Sequence, residues 1–311
     1  MNGRRIELRT KDDAYDPART VQNTRELIEK DGVLALFGYI GTSTTIAALP
    51  VLSAAQVPLF APSSGAAALR EPFNRYVFNL RAGYVEEADH IVEQLSVTHL
   101  THIAVFHQND AFGTAGMEAV TQARKKHKLT MDTTVTIERN STDVAAAAKA
   151  LLAAHPDAVV LVSAYASCAA LIKEMRKGGF KGQFASLSYV GGKALADELG
   201  SAGTGVQVSE VVPFPWAETS PIQREYVQAM RKAGVPTRSF HSMEGYIAAK
   251  AMTEGLRRAG RALTRARLAG ALESMHDWDA GGYHVTFGPE SHDGGHMVEM
   301  TMLGSDGRFL H

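Results

Sequence analysis

The chain has little cysteine, little net charge and no long apolar run. Its only cysteine among 311 residues is Cys168, which excludes an internal disulfide and a cysteine-based metal site. A formal net charge of −1 and a pI near 6.9 argue against a nucleic-acid partner, because phosphate binding requires a basic surface. No stretch approaches the roughly 18 consecutive apolar residues of a transmembrane helix. The length indicates about two domains.

Motifs of catalysis and of cofactor binding are also missing. The chain has no Walker A phosphate loop, no G-x-S-x-G and no H-E-x-x-H. The glycine-rich run at 200–205 follows a predicted helix, whereas a dinucleotide loop follows a strand. His284, His292 and His296 lie near a predicted turn, and we interpret them as scattered surface histidines. Cys168 begins an apolar helical run and is expected to be a buried structural thiol. We therefore expect no enzymatic activity, no cofactor and no metal.

Strands and helices alternate along most of the chain. In the first 80 residues we predict strands at 6–10, 33–37, 58–61 and 76–80, with a first helix that begins at Asp16-Pro17. Further on, helices alternate with predicted strands at 102–107, 132–137, 158–163, 184–188 and 206–212. This alternation predicts an α/β fold with parallel, doubly wound sheets.

Breaks in the alternation divide the chain into two Rossmann-like lobes. An extended link at 213–216 precedes three helices without intervening strands, which we expect to return to the first lobe. The tail, from 284 to 309, has the patterning of β-hairpins. We predict lobe 1 from residues 1–82 and 215–290, and lobe 2 from residues 83–214 and 291–311, joined by a three-strand hinge. Hinged lobes close around a ligand.

The stretch 38–65 carries the clearest binding signal. A hydroxyl-rich turn follows one predicted strand and a Pro-Ser-Ser-Gly turn follows the next, at the edge of an α/β sheet where ligands bind. Thr42, Ser43 and Thr44 are good helix N-caps, and the amides behind them would face an anion such as a carboxylate. The alternative is that both turns are ordinary caps.

Nearly the whole chain resembles a known family. The strings that carry the resemblance begin at Asn2 (NGRRIEL), Asp12 (DDAYDPA), Val57 (VPLFAPSS), Ile103 (IAVFHQNDAFG), Asp157 (DAVV) and Glu244 (EGYIAA). In this order they resemble the type I periplasmic binding proteins, within them the leucine/isoleucine/valine-binding branch that feeds ABC importers.

The resemblance implies a function in solute uptake. A protein of this kind captures an amino acid or small organic carboxylate between its lobes and delivers it to an ABC-type membrane permease. Two alternatives are a ligand-sensing regulatory domain of the same fold and a cytosolic α/β enzyme.

By resemblance, several residues are expected to bind the ligand. In lobe 1 the hydroxyl and backbone groups at the ligand carboxylate are those of Thr42, Ser43, Ser63, Ser64 and Gly65. In the second lobe, Tyr84 and Glu86 occupy the first crossover, while Phe112 and Tyr165 take the places of aromatic residues that cover the ligand. Phe112 and Tyr165 could instead be core aromatics, and Glu86 could simply favour a helix N-terminus.

Ser188 departs from the family pattern. In amino-acid binders of this family an acidic residue at that place pairs with the ligand's α-ammonium group, and a buried ammonium needs a charged partner. Unless Glu86 supplies the charge, the ligand is expected to be a carboxylate without that amine, such as an aromatic or branched organic acid.

The start of the chain is a second departure. Family members carry a signal peptide, then a strand and a helix, before the position that Asn2 occupies here. The resemblance therefore implies that the complete protein is longer at its N-terminus and is exported to the periplasm. Without that strand, the first lobe is expected to leave strand edges unpaired.

Overall fold

The computed structural model describes residues 3–190 and 192–311, and the side chains of 131 and 132 are excepted. Asn2, where the resemblance begins, lies outside the described residues. The α-helices are α1 (Pro17–Glu29), α2 (Thr42–Ala54), α3 (Tyr84–Val97), α4 (Ala111–Lys126), α5 (Ala145–Ala154), α6 (Tyr165–Lys177), α7 (Gly192–Leu199), α8 (Pro221–Lys232), α9 (Phe240–Ala259) and α10 (Arg265–Glu273). The strands are β1 (Leu36–Phe37), β2 (Leu59–Phe60), β3 (Val77–Phe78), β4 (Ile103–Gln108), β5 (Met131–Ile137), β6 (Ala158–Val162), β7 (Gln183–Ser186), β8 (Gln207–Glu210), β9 (Trp278–Asp279), β10 (His284–Val285), β11 (Glu299–Leu303) and β12 (Phe309–Leu310).

The chain forms two compact units. Unit 1 contains Met1–Ala82 and Pro215–Met297, and unit 2 contains Gly83–Phe214 and Val298–His311. Residues 291–297, which the sequence placed in the second lobe, belong to unit 1, because Asn79 N donates to His292 O (2.8 Å) and Gly294 N donates to Asn79 O (2.8 Å). No helix in the part of the chain that is described has the length and apolar character needed to cross a bilayer.

Unit 1 is built on a short parallel sheet in the order β1-β2-β3. Leu27 of α1 and Leu52 of α2 pack into a buried cluster with residues of these strands. The start of α1 is as predicted, since Asp16 is its N-cap and accepts from Arg19 N, with Pro17 in the first turn. Thr20, Thr24 and Leu27 form the buried face of α1.

The strand predicted at 6–10 is wrong. These residues have no regular secondary structure, and Ile6 and Leu8 are exposed (59% and 72%). An apolar alternation becomes a strand only where a neighbouring strand pairs with it, and the sheet of unit 1 contains β1, β2 and β3. The three helices after residue 220 belong to unit 1, as expected, and Arg265 of α10 donates to Val33 O (2.9 Å) and Ala55 O (3.2 Å).

Unit 2 contains a larger mixed sheet in the order β12-β11-β8-β7-β6-β4-β5. The strands from β4 to β8 are parallel, and β4 and β6 are buried throughout, as expected for central strands covered on both faces. The tail contributes β11, which pairs antiparallel with both β8 and β12. The predicted tail patterning thus becomes two separate hairpins, β9–β10 in unit 1 and β11–β12 in unit 2.

His292 is a core residue of unit 1, so its interpretation as a surface histidine is wrong. Its ring stacks on Phe78 at 3.7 Å between centroids, its Nδ1 lies 3.0 Å from Val77 O, and its Nε2 lies 3.5 Å from Glu273 Oε1. Burial lowers the pKa of His292 below its ordinary value of about 6.5, although the Val77 carbonyl and Glu273 act in the opposite direction. As the pH falls through about 6.5, the unfolded chain binds more protons at this ring than the folded protein does, so the free energy of unfolding decreases.

We predict that replacing His292 removes part of this pH dependence. His292→Asn keeps an amide that can donate to the Val77 carbonyl, but it does not titrate. The free energy of unfolding, measured in urea from about pH 7.5 to pH 5, should decline less steeply in this variant than in the parent protein. If the free energy of unfolding depends equally on pH in His292→Asn and in the parent protein, His292 does not contribute to the loss of stability at low pH.

Candidate functional site

The loops after β1 and β2 meet at one edge of the unit 1 sheet. Because β1 and β2 are parallel, their carboxyl ends point to the same edge. Ser63 N donates to Tyr39 O (2.7 Å) and Gly41 N donates to Ser63 O (3.3 Å), so the two loops continue the pairing beyond the strands. This pairing gathers five residues at one edge of the sheet, as the sequence predicted: Thr42, Ser43, Ser63, Ser64 and Gly65.

Gly41, and not Thr42, is the N-cap of α2. Gly41 has a φ of 99°, and a Cβ atom at this position would lie 2.4 Å from Tyr15 Cε2, so glycine alone fits. Thr42 therefore becomes the first helical residue, and its buried Oγ1 lies 2.7 Å from Ser64 Oγ. The first turn of an α-helix directs backbone N–H groups past the helix end, which favours an anion there.

Arg81 is a member of this edge that the sequence reasoning missed. Its Nη1 donates to Ser63 Oγ (3.1 Å), and its Nε lies 3.7 Å from Glu244 Oε1. Only 3% of Arg81 is exposed. Its signal in the sequence is a single cation directly after the predicted strand 76–80. The unit 1 edge therefore combines hydroxyl groups, a helix start and a buried positive charge.

Aromatic residues pack at the corresponding edge of unit 2. Phe112 follows β4 and is fully buried, with ring centroids 5.7 Å from Tyr84 and 4.7 Å from Tyr189. Asp110 caps α4 by accepting from Phe112 N and Gly113 N. Phe112 and Tyr84 thus have the packing of core aromatics. Tyr165 differs, because it is the first residue of α6 and is 45% exposed.

Glu87, which the sequence reasoning did not select, is the acidic residue at Ser188. Its Oε2 accepts from Ser188 N (2.8 Å) and from Ser209 Oγ (2.6 Å), and the residue is completely buried. Glu86 instead accepts from Gly83 N (2.7 Å) in a capping box at the start of α3, as the alternative reading of Glu86 expected. Helical spacing could have found Glu87, since it lies three residues after Tyr84 and four before Ile91 on the buried face of α3.

The remaining candidates for chemistry are structural. Cys168 is completely buried, which raises the pKa of its thiol to about 12, as expected for an inert structural thiol. The run 200–205 follows α7 and includes a single short 3-10 turn, so the context of a dinucleotide loop is absent there. Within residues 3–190 and 192–311, no group of three or more His, Cys, Asp or Glu side chains is placed to hold a metal ion.

Both units have parallel strands with polar or aromatic residues at their carboxyl ends, hydroxyl groups and Arg81 in unit 1 and aromatic residues and Glu87 in unit 2, as is typical of α/β ligand-binding proteins. The sequence profile of the family described as "Periplasmic binding protein" matches residues 1–308, and the chain belongs to that family. Its members are periplasmic solute-binding proteins. The predicted fold class and the predicted family are both confirmed.

Individual relatives are similar over most of their length. A crystal structure of a possible leucine/isoleucine/valine-binding protein from Rhodopirellula baltica is 32% identical, with a TM-score of 0.91 over 96% of this chain and 83% of that one. "Leu/Ile/Val-binding protein homolog 7" of Brucella suis is 24% identical over 328 residues, which cover 100% of this chain and 81% of the relative. A fatty acid ABC transporter substrate-binding protein from Thermomonospora curvata is 20% identical, with a TM-score of 0.87 over 99% and 81% of the two chains, and shows the fold alone.

We predict that Glu87 and Glu86 differ sharply in their effect on stability. Glu87→Ala removes the acceptor of the buried Ser188 N and the nearer of the two acceptors of Ser209 Oγ, which keeps only the longer contact to Ser186 O (3.4 Å), and we expect a cost of about 2–4 kcal/mol. Glu86→Ala removes one capping interaction and costs about 1 kcal/mol or less. Urea unfolding of both variants at neutral pH measures the difference. A Glu87→Ala variant as stable as Glu86→Ala would show that the Ser188 turn does not depend on this carboxylate.

Proposed function

We propose that this protein is a periplasmic solute-binding protein that captures a small carboxylate and delivers it to an ABC-type permease. Membership in the family supports solute binding, and the relative from Thermomonospora curvata is named as the substrate-binding protein of an ABC transporter. The residues at the unit 1 edge are the observation that supports a carboxylate as the ligand. There the buried Thr42 and Ser64 hydroxyl groups lie 2.7 Å apart at the start of α2, and Arg81 reaches Ser63.

A carboxylate suits this edge for two physical reasons. Hydroxyl groups and the N–H groups of a helix start are donors that can converge on carboxylate oxygens. Arg81 adds a positive charge in a buried setting, where a hydrogen bond to a charged group contributes more than a neutral one. The ligand-binding residues that we propose in unit 1 are Thr42, Ser43, Ser63, Ser64 and Gly65.

The rest of the ligand is either an amino acid or an organic acid. The relatives are named for leucine, isoleucine and valine and for a fatty acid, and these molecules share a carboxylate but differ in the ammonium group. In unit 2, Ser188 is a neutral residue, but Glu87 places a carboxylate within hydrogen-bonding distance of its amide. Both ligand classes therefore remain candidates. In unit 2 the predicted ligand contacts rest on the resemblance alone, and they are Tyr84, Glu86, Phe112, Tyr165 and Ser188.

A thermal-shift screen with matched compounds tests the proposal. The acids are leucine, 4-methylpentanoate and phenylacetate, and the controls are the corresponding alcohols leucinol, 4-methylpentanol and 2-phenylethanol. Binding at about 100 times the Kd adds about 2.7 kcal/mol of stability, which raises the Tm of a chain of this length by about 4 °C. We expect at least one acid to raise the Tm and its alcohol to leave it unchanged.

The same screen separates the two ligand classes. A shift with leucine but not with 4-methylpentanoate identifies an amino-acid binder, and a shift with an acid that has no amine identifies an organic-acid binder. The proposal is contradicted if none of the acids raises the Tm, or if the alcohols raise it as much as the acids do.

A further inference from the structure

We propose that Arg81 is a positioning residue that makes the Ser63 turn selective for an anionic carboxylate over its neutral analogues. The inference rests on the proposed function and concerns the same edge of unit 1. Arg81 acts through Ser63 by fixing the direction of the hydroxyl hydrogen, and its own charge favours a negatively charged group beside that hydroxyl.

The direction of the Ser63 hydroxyl follows from the chemistry of its partner. A guanidinium group has five N–H donors and no acceptor, so in the contact between Arg81 Nη1 and Ser63 Oγ (3.1 Å) the hydroxyl oxygen must accept. The hydrogen of Ser63 is therefore directed to some other acceptor. The Thr42–Ser64 pair has no such constraint, because either oxygen can be the donor. The contact with Arg81 thus leaves the Ser63 hydroxyl oriented to donate its hydrogen to a ligand oxygen.

A set of polar contacts holds Arg81 in place. Its backbone oxygen accepts from Arg70 Nη2 (2.9 Å), and Arg70 Nη1 also donates to Ala66 O (3.1 Å), two residues beyond Ser64. Arg70 is itself paired with Asp293, at 3.2 Å between Nε and Oδ1. One arginine therefore ties the 62–66 turn to the backbone of Arg81, and the guanidinium of Arg81 in turn contacts Ser63 and Glu244.

The charge of Arg81 is permanent and buried. Arginine stays protonated at every physiological pH, and burial without a partner would be costly. Glu244 supplies a counter-charge at 3.7 Å from Arg81 Nε, but its side chain is 20% exposed, whereas that of Arg81 is 2% exposed. Arg81 Nη1 contacts Ser63 Oγ directly (3.1 Å), so the positive charge acts on a group bound at Ser63 over a short distance. A carboxylate at Ser63 would gain from this charge, and a carboxamide would not.

The test compares affinities for acids and for their amides. The probes are leucine, 4-methylpentanoate and phenylacetate, each paired with its primary amide, and Kd values are measured by calorimetry on the full chain. In the parent protein we expect the acid that binds to be favoured over its amide by at least about tenfold. Arg81→Gln, which keeps a donor for Ser63 but removes the charge, should lower this ratio by about tenfold or more. Arg81→Lys should retain most of it.

Two further variants separate this role from simple structural support. Arg265→Gln removes another partly buried arginine of unit 1, one that donates to the Val33 and Ala55 carbonyls, and should reduce stability without changing the acid-to-amide ratio. Ser63→Ala should lower the ratio even if Arg81→Gln does not fold. An unchanged ratio in Ser63→Ala, or an equal loss of acid and amide binding in Arg81→Gln, would overturn the inference. Failure of every acid to bind the parent protein would instead overturn the proposed function, and the inference with it.

Discussion

Hydrogen bonding between the backbones of two loops is the constraint on which the unit 1 site depends. Ser63 N donates to Tyr39 O and Gly41 N donates to Ser63 O, so the parallel pairing of β1 and β2 extends past both strands. This pairing sets the position of Gly41, where α2 begins, and the position of Ser63, which accepts from Arg81. The hydroxyl groups, the helix start and the cation are therefore not independent features, because each is placed by the same pairing of two chain segments.

In unit 2 a buried side chain holds a helix and two strand ends together, whereas in unit 1 backbone hydrogen bonds hold two loops together. Glu87 projects from the buried face of α3 and accepts from Ser188 N and Ser209 Oγ, so one carboxylate joins a helix to the ends of β7 and β8. A buried carboxylate is tolerated only when donors satisfy it. The two edges thus differ in their buried polar side chain, a guanidinium at Arg81 and a carboxyl group at Glu87.

The sequence predicted the architecture well because hydrophobic periodicity reports burial directly. Apolar runs at β4 and β6 and the buried face of α3 at Ala88, Ile91, Val92 and Leu95 are properties of local sequence. The strand at 6–10 failed because pairing is not a local property. Glu86 was weighed as the ligand's charge partner on its place in the crossover alone, although the 3.6-residue period places Glu87 on the buried face. Arg81 was missed, and His292 was wrongly assigned to the surface, because their partners are distant in sequence: Ser63 and Glu244 for Arg81, and Val77 and Glu273 for His292.

In the function that we propose, the Thr42 edge of unit 1 binds the ligand carboxylate. Calorimetric titration of Thr42→Val with the acid that binds the parent protein tests this claim most directly. Thr45→Val is the control, since Thr45 is a buried threonine on the same helix whose hydroxyl is bonded internally to Gly41 O (2.5 Å). Loss of a hydrogen bond to a charged ligand predicts at least about tenfold weaker binding for Thr42→Val and unchanged affinity for Thr45→Val. Equal affinity in Thr42→Val and the parent protein would contradict the account.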